Sequence, residues 1–156
     1  MSDMDFSQFR AALVELGADL DKSAQRVVGQ MASTGLNVTK KNTPVGDYSG
    51  DVYFFTEWGK AVHFKAHSTK VGGTLRKGWL KSITYKNGTT WESGYANNID
   101  YGLYVNNGHR TVNRWGETTG YVKGKRMLEQ GIDATKRQTE SLFNNEIAKV
   151  KAKGGW

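Results

Sequence analysis

Apolar residues of helical period open this chain and run toward its one proline. Phe6, Phe9, Leu13, Leu16 and Leu20 recur every three or four residues, and Val27, Val28 and Met31 extend the series. One face of a long helix is thereby apolar. Ser2 or Asp3 is placed to cap its start. The helix must end before Pro44, because the residue preceding a proline, Thr43, is pushed out of the α region. Gly17, Gly29 and Gly35 oppose the helix, each by about 1 kcal/mol relative to alanine.

The middle of the chain changes period. Trp79 to Tyr85 and Thr90 to Ala96 flank Asn87-Gly88, a strong hairpin signal. With Asn87 and Gly88 as the turn, Lys86 faces Thr89 and Ile83 faces Glu92. One sheet face then carries Leu80, Trp91 and Tyr95. The other carries Trp79, Ile83 and Tyr85, with Lys81 and Glu92 placed diagonally. Tyr101 to Val105 reads as a third strand and Asn106-Asn107-Gly108 as a turn. On a strand, Tyr101 and Tyr104 point to opposite faces. From about Arg126 to Lys151 the helical period returns, with Met127, Leu128, Ile132, Leu142, Phe143, Ile147 and Val150 as its buried stripe and Gly154-Gly155 as its end. Val45 to Gly73 has no helical period; a short strand is expected around Val52 to Phe55 in an otherwise long loop.

These elements predict one α+β domain over residues 1–156, with a small antiparallel sheet of three to four strands packed against long N- and C-terminal helices and a long loop inserted at 46–72. Phe6, Phe9, Leu13 and Leu16 are expected to pack on the sheet with Leu142 and Phe143. A structureless loop of that length inside a compact domain is unusual. It is the candidate for contact with other subunits, a tube or DNA, and is expected to be mobile in the isolated monomer.

Charge is unevenly spread in a chain of net charge +7. From Met1 to Asp21 there are five acids and one base, whereas Trp58 to Trp91 contains no acid. That basic stretch holds Lys60, Lys65, Lys70, Arg76, Lys77, Lys81 and Lys86. The imbalance points to an anionic partner, nucleic acid or an acidic protein face. The acidic first helix and the basic middle are the two patches expected to meet between copies. The chain has no cysteine and no apolar run of membrane length, and its first residues lack the basic and apolar regions of a secretory signal. A soluble product of a reducing interior is expected.

Catalytic patterns are scarce. His63 and His67 are four apart, but the glutamate of the H-E-x-x-H zinc motif is missing. His109, beside Arg110 in the predicted turn, reads as a hydrogen-bonding surface group. There is no nucleophile elbow and no Walker or Rossmann glycine pattern, and Gly72-Gly73 reads as a flexible joint. Asp47, Asp51 and Glu57 are the acids a small hydrolase would need to cluster. Trp79, Tyr85 and Trp91 among the lysines admit a nucleic-acid module, although aromatics alternating along strands are more often core. No catalytic residue, metal or cofactor is assigned.

Four segments together resemble a known family. They are Thr43-Pro44-Val45, Gly73-Thr74-Leu75-Arg76-Lys77-Gly78-Trp79, Tyr101-Gly102-Leu103-Tyr104-Val105-Asn106-Asn107-Gly108-His109-Arg110, and Gly120 to Leu128. Their order and spacing are similar to the neck or tail-completion (head–tail joining, minor tail) proteins of long-tailed bacteriophages, over nearly the whole chain. In those proteins T-P-V often runs directly into T-G-x-L-R; here Gly46 to Gly72 intervene. The resemblance implies an α+β structural protein, not an enzyme. It implies a ring, commonly of six copies, in the neck or tail of a virion whose proteins are made in the host bacterial cytoplasm. Its partners would be copies of itself, the tail tube protein and a portal-side adaptor or head-closure protein, with non-specific contact to passing DNA and none to membrane. Lys60, Lys65, Lys70, Arg76, Lys77, Tyr101, Tyr104, Arg110, Asp3 and Asp5 are the interaction residues this reading selects, with Arg76 able to grip a carboxylate through two hydrogen bonds.

Overall fold

A computed structural model describes residues 6–46, 51–55, 61–65 and 72–154. Two long helices dominate it. Helix α1 spans Phe6–Asn42 and helix α4 spans Met127–Gly154. At 1.5 Å per residue they are about 55 and 42 Å long. They lie antiparallel and make the most extensive contact in the molecule. Arg26 meets Glu146, Thr34 meets Gln138 and Thr135 reaches the Met31 carbonyl, so the register is fixed along their whole overlap.

The closest approach is made by Gly35 and Gly131. A Cβ built on Gly131 would lie 2.0 Å from Thr39 Oγ1 and 2.7 Å from the Gly35 carbonyl oxygen. Gly35, which weakens α1 as a sequence, is therefore what lets α4 dock. Gly17 has nothing within 4 Å and does no such packing work.

Helix α4 is too short to cover α1. Its last cation, Lys153, reaches Glu15 and Asp19, and α1 continues beyond that point to Phe6. The expected packing of Phe6, Phe9 and Leu13 with Phe143 on the sheet is therefore wrong. Their relative exposures are 79, 50, 49 and 55%. The core sits at the opposite end of the helix pair, where Leu75, Trp79 and Met127 pack with Leu36, Tyr95, Ile99, Val105 and Leu128. Of the predicted α4 stripe, Met127 and Val150 are buried, whereas Ile132 is exposed.

Between the helices lie four two-stranded antiparallel sheets. Strands β1 (Asp51–Phe55) and β2 (Ala61–Lys65) pair with each other, so the inserted segment holds a second strand beyond the one expected there. Helix α2 (Thr74–Lys77) follows, entered through Gly73 at φ +98°. Strands β3 (Trp79–Lys81) and β6 (Tyr95–Asn97) pair, and between them β4 (Tyr85–Asn87) pairs with β5 (Thr90–Glu92). This is the expected hairpin, but its tip is shifted by one residue. Asn87 faces Thr90, leaving Gly88-Thr89 as the turn. Gly88, at φ +60°, takes the first turn position that a type II′ hairpin reserves for glycine. Asn87 stays in the strand and donates its side-chain amide to Glu92. Lys86 thus pairs with Trp91 and Tyr85 with Glu92, which changes both predicted faces. The two ladders are out of phase across Ser82 and Gly94, where the Ser82 hydroxyl accepts the Gly94 N–H in place of a ladder bond.

The predicted third strand is helix α3 (Gly102–Asn107). Gly102 is buried against Leu75, where a Cβ would make a tight contact at 3.1 Å. Gly102, Val105 and Asn106 turn inward with helical spacing, and Tyr101 and Tyr104 are both exposed rather than divided between two faces. Strands β7 (Gly108–Val112) and β8 (Thr118–Lys123) then form a hairpin that leads into α4.

Candidate interaction surfaces

The T-P-V and G-x-L-R segments meet at the C-terminus of α1. Thr43 is fully buried, and its hydroxyl donates to the Thr39 carbonyl at 2.7 Å. The same oxygen accepts the indole N–H of Trp79 at 2.9 Å. Arg76 sends Nε and Nη2 to the Thr43 carbonyl at 3.0 and 2.6 Å. Both donors therefore end a helix of the same chain, and the grip expected on a carboxylate is made on a carbonyl. Leu75, the neighbour of Arg76, is core. Pro44 stops the helix, and Arg76 satisfies the carbonyl left at its end. Gly46 and Gly72 touch, because a Cβ on Gly72 would lie 2.0 Å from the Gly46 oxygen. The inserted segment leaves and rejoins the fold at one point.

Several members of the two charge patches are bonded within the chain. Lys86 Nζ lies 2.6 Å from Asp21, and the Trp91 indole N–H donates to the same oxygen. Lys86 and Trp91 together hold the Asp21 carboxyl below the ordinary carboxylate range. Lys153 holds Asp19 down in the same way and also reaches Glu15. Lys81 donates to the Gly29 carbonyl and the Ser33 hydroxyl. Of the expected interaction residues, Lys77, Tyr101, Tyr104 and Arg110 are exposed. Lys65 lies on β2. Lys60, Lys70, Asp3 and Asp5 lie outside the described residues, as do Asp47, Glu57, His67 and most of the segment expected to be mobile. His63 is on a strand, so it offers no helical pair.

Two polar clusters gave no motif. Glu146 is buried between α1 and α4 and takes ion pairs from Lys149 and Arg26, which hold its carboxyl below its ordinary range. Asn106 is buried at the root of the β7–β8 hairpin. Its amide donates to Asn107 and Glu129, and its oxygen accepts the Leu128 N–H at the start of α4. An acid at helical spacing and an asparagine in an N-N-G run look like surface residues until the partner chain segments are in place.

The β7–β8 hairpin is clamped at its root and exposed along its length. Gly108 is at φ +86°, and the N–H groups of Lys125 and Arg126 donate to the carbonyls of Val105 and Asn106. Tyr121 crosses Gly108 to donate its hydroxyl to the Asn107 carbonyl at 3.0 Å. His109 packs edge-on against Tyr104, with ring centroids 6.2 Å apart, and its Nδ1 is buried without a partner among the described residues, contrary to the expected surface hydrogen bond. At the tip, Asn113 accepts the N–H groups of Trp115 and Glu117, and Gly116 turns the chain at φ +83°. Trp115 and Tyr121 are nevertheless 68 and 67% exposed. Among the described residues no group of three or more His, Cys, Asp or Glu is placed to hold a metal ion, and no helix is long and apolar enough to cross a membrane.

Among the described residues, the long helix pair exposes apolar side chains at one end and carries small sheets at the other. In the comparison with protein families, the family model that matches residues 7–108 is described as "Bacteriophage HK97-gp10, putative tail-component". The chain is a bacteriophage tail component. It belongs to the HK97-gp10-like family, whose match covers well over half of its length and includes two of the four segments that carried the resemblance and most of a third, Tyr101 to Gly108. No curated protein and no solved structure matches it.

Proposed function

We propose that this tail component is a non-enzymatic subunit that closes into a ring, of about six copies, at the head–tail junction or tail end, acting as a tail-completion, terminator or connector protein. The supporting observation is the row of exposed apolar side chains on the N-terminal third of α1, beyond the reach of α4 among the described residues. Phe6, Phe9, Leu13 and Val14 stand on a helix segment with no neighbour from α4. A solvated helix this apolar is stable mainly through what it packs against. The helix overhang lies at one end of the molecule and the α3 and β7–β8 surface at the other. Contact between two unlike ends is heterologous, and it makes a ring when the rotation closes.

Native mass spectrometry with negative-stain imaging tests this reading. Discrete closed oligomers are expected, reduced to monomers by Phe9→Asp with Leu13→Asp. A wild-type chain that stays monomeric at high concentration and never joins purified tails would overturn it.

A further inference from the structure

Among the described residues, exposed and unpaired positive charge gathers in a segment outside the acid-free stretch. In the acid-free stretch, the side chains of Arg76, Lys81 and Lys86 are bonded inside the chain. The segment from Gly108 to Arg126 is different. It carries Arg110, Arg114, Lys123, Lys125 and Arg126 against the single acid Glu117, and so four of the chain's seven net charges. All five cations are exposed. None makes an ion pair among the described residues, and Glu117 is bonded to Asn113 instead.

Strand pairing sorts these groups. Arg110 is opposite Tyr121 and Gly108 opposite Lys123, so Arg110, Tyr121 and Lys123 share one face. Arg114 lies over the Trp115 ring at the tip, 4.1 Å from its centroid. The clamped root and the Asn113 turn fix the direction of this ribbon before any partner arrives. We propose that the β7–β8 hairpin, with Lys125 and Arg126 at its root, binds the phosphate backbone of double-stranded DNA.

Three observations select that partner. The charge is unpaired, so binding releases counterions from the DNA without first breaking ion pairs in the protein. A two-stranded ribbon has the width that the major groove of B-DNA admits. The acidic first helix of a second copy is a poor alternative, because its acids, Glu15, Asp19 and Asp21, already have lysine partners. The inference is independent of ring formation, since one subunit contains the whole site.

Fluorescence anisotropy with a short labelled duplex of random sequence tests it. With four to five phosphates engaged, log affinity should fall against log salt with a slope of about −4, a loss of roughly 250-fold between about 50 and 200 mM. Arg110→Ala with Lys123→Ala should bring the slope to about −2. These side chains are exposed and bond to nothing among the described residues, so the thermal melt should be unchanged. Lys86→Ala should leave the slope as it was. Three results would overturn the proposal. One is no duplex binding at the lowest salt, and another is binding whose slope ignores the hairpin substitutions. The third is competition by polyglutamate as effective as by unlabelled duplex, which would assign the hairpin to an acidic protein surface.

Discussion

Replacing Thr43 with valine keeps the shape of the side chain and removes one oxygen. That oxygen accepts the Trp79 indole N–H at 2.9 Å and carries the proton donated to the Thr39 carbonyl at 2.7 Å. Thr43 is fully buried and Trp79 nearly so, so water cannot replace the lost acceptor. A buried donor left unpaired costs about 1–3 kcal/mol, and the second bond adds about 1 kcal/mol. The valine methyl returns about 0.8 kcal/mol of burial. The net expectation is a loss of about 2 kcal/mol, or a melting point lower by roughly 4–8 °C for a chain of this size. Urea unfolding followed by tryptophan fluorescence and circular dichroism would measure it. The midpoint should fall while the slope of free energy against urea stays the same. Thr43→Ser keeps the oxygen and should cost less than half as much. If Thr43→Val unfolds within about 0.5 kcal/mol of wild type, or if serine is worse than valine, the Trp79 bond is not what holds this joint.

The two kinds of glycine in the helices should respond in opposite directions. Gly17→Ala meets open space and should stabilise by up to about 1 kcal/mol, whereas Gly131→Ala drives a methyl into Thr39 and the Gly35 backbone and should destabilise by about 1–3 kcal/mol, both read from thermal melts. Glu146→Gln should cost about 1–3 kcal/mol at neutral pH, because its ion pairs with Lys149 and Arg26 are lost in a buried place. The folded Glu146 carboxyl sits below its ordinary value, so its contribution is complete above about pH 4.3 and disappears as pH falls through the folded value. The difference in urea midpoint between wild type and variant should therefore narrow only in acid, and a difference that stays constant down to acid unfolding would contradict the assignment.

The long helices were legible because period and punctuation agreed. Phe6 to Met31 repeats helically and Pro44 stops the run, and α1 ends at Asn42 as that requires. The hairpin at Asn87-Gly88 was legible in kind but not in register. Both Asn87-Gly88 and Gly88-Thr89 satisfy turn chemistry, and the choice falls to the bond from Asn87 to Glu92. Tyr101 to Val105 misled because its apolar residues suit a strand, whereas the inward positions are Gly102, Val105 and Asn106, at helical spacing. The β7–β8 hairpin left a signal, with Thr and Val before Asn113 and Thr, Tyr and Val after Gly116, but Arg114 to Glu117 between them lacks a two-residue turn motif. Charge was the least legible property. Sequence reports where Lys86 and Asp21 are along the chain, 65 residues apart, and says nothing of their meeting.

The contact between Gly46 and Gly72 also has a practical side. Because both ends of the inserted segment stand together at the mouth of α2, replacing residues 47–71 by a different sequence need not move Thr43, Arg76 or Trp79. The closure entropy of a longer or shorter excursion changes only slowly with its length. The joint between Gly46 and Gly72 is thus a socket, where a foreign peptide should be accepted with little change in the thermal melt.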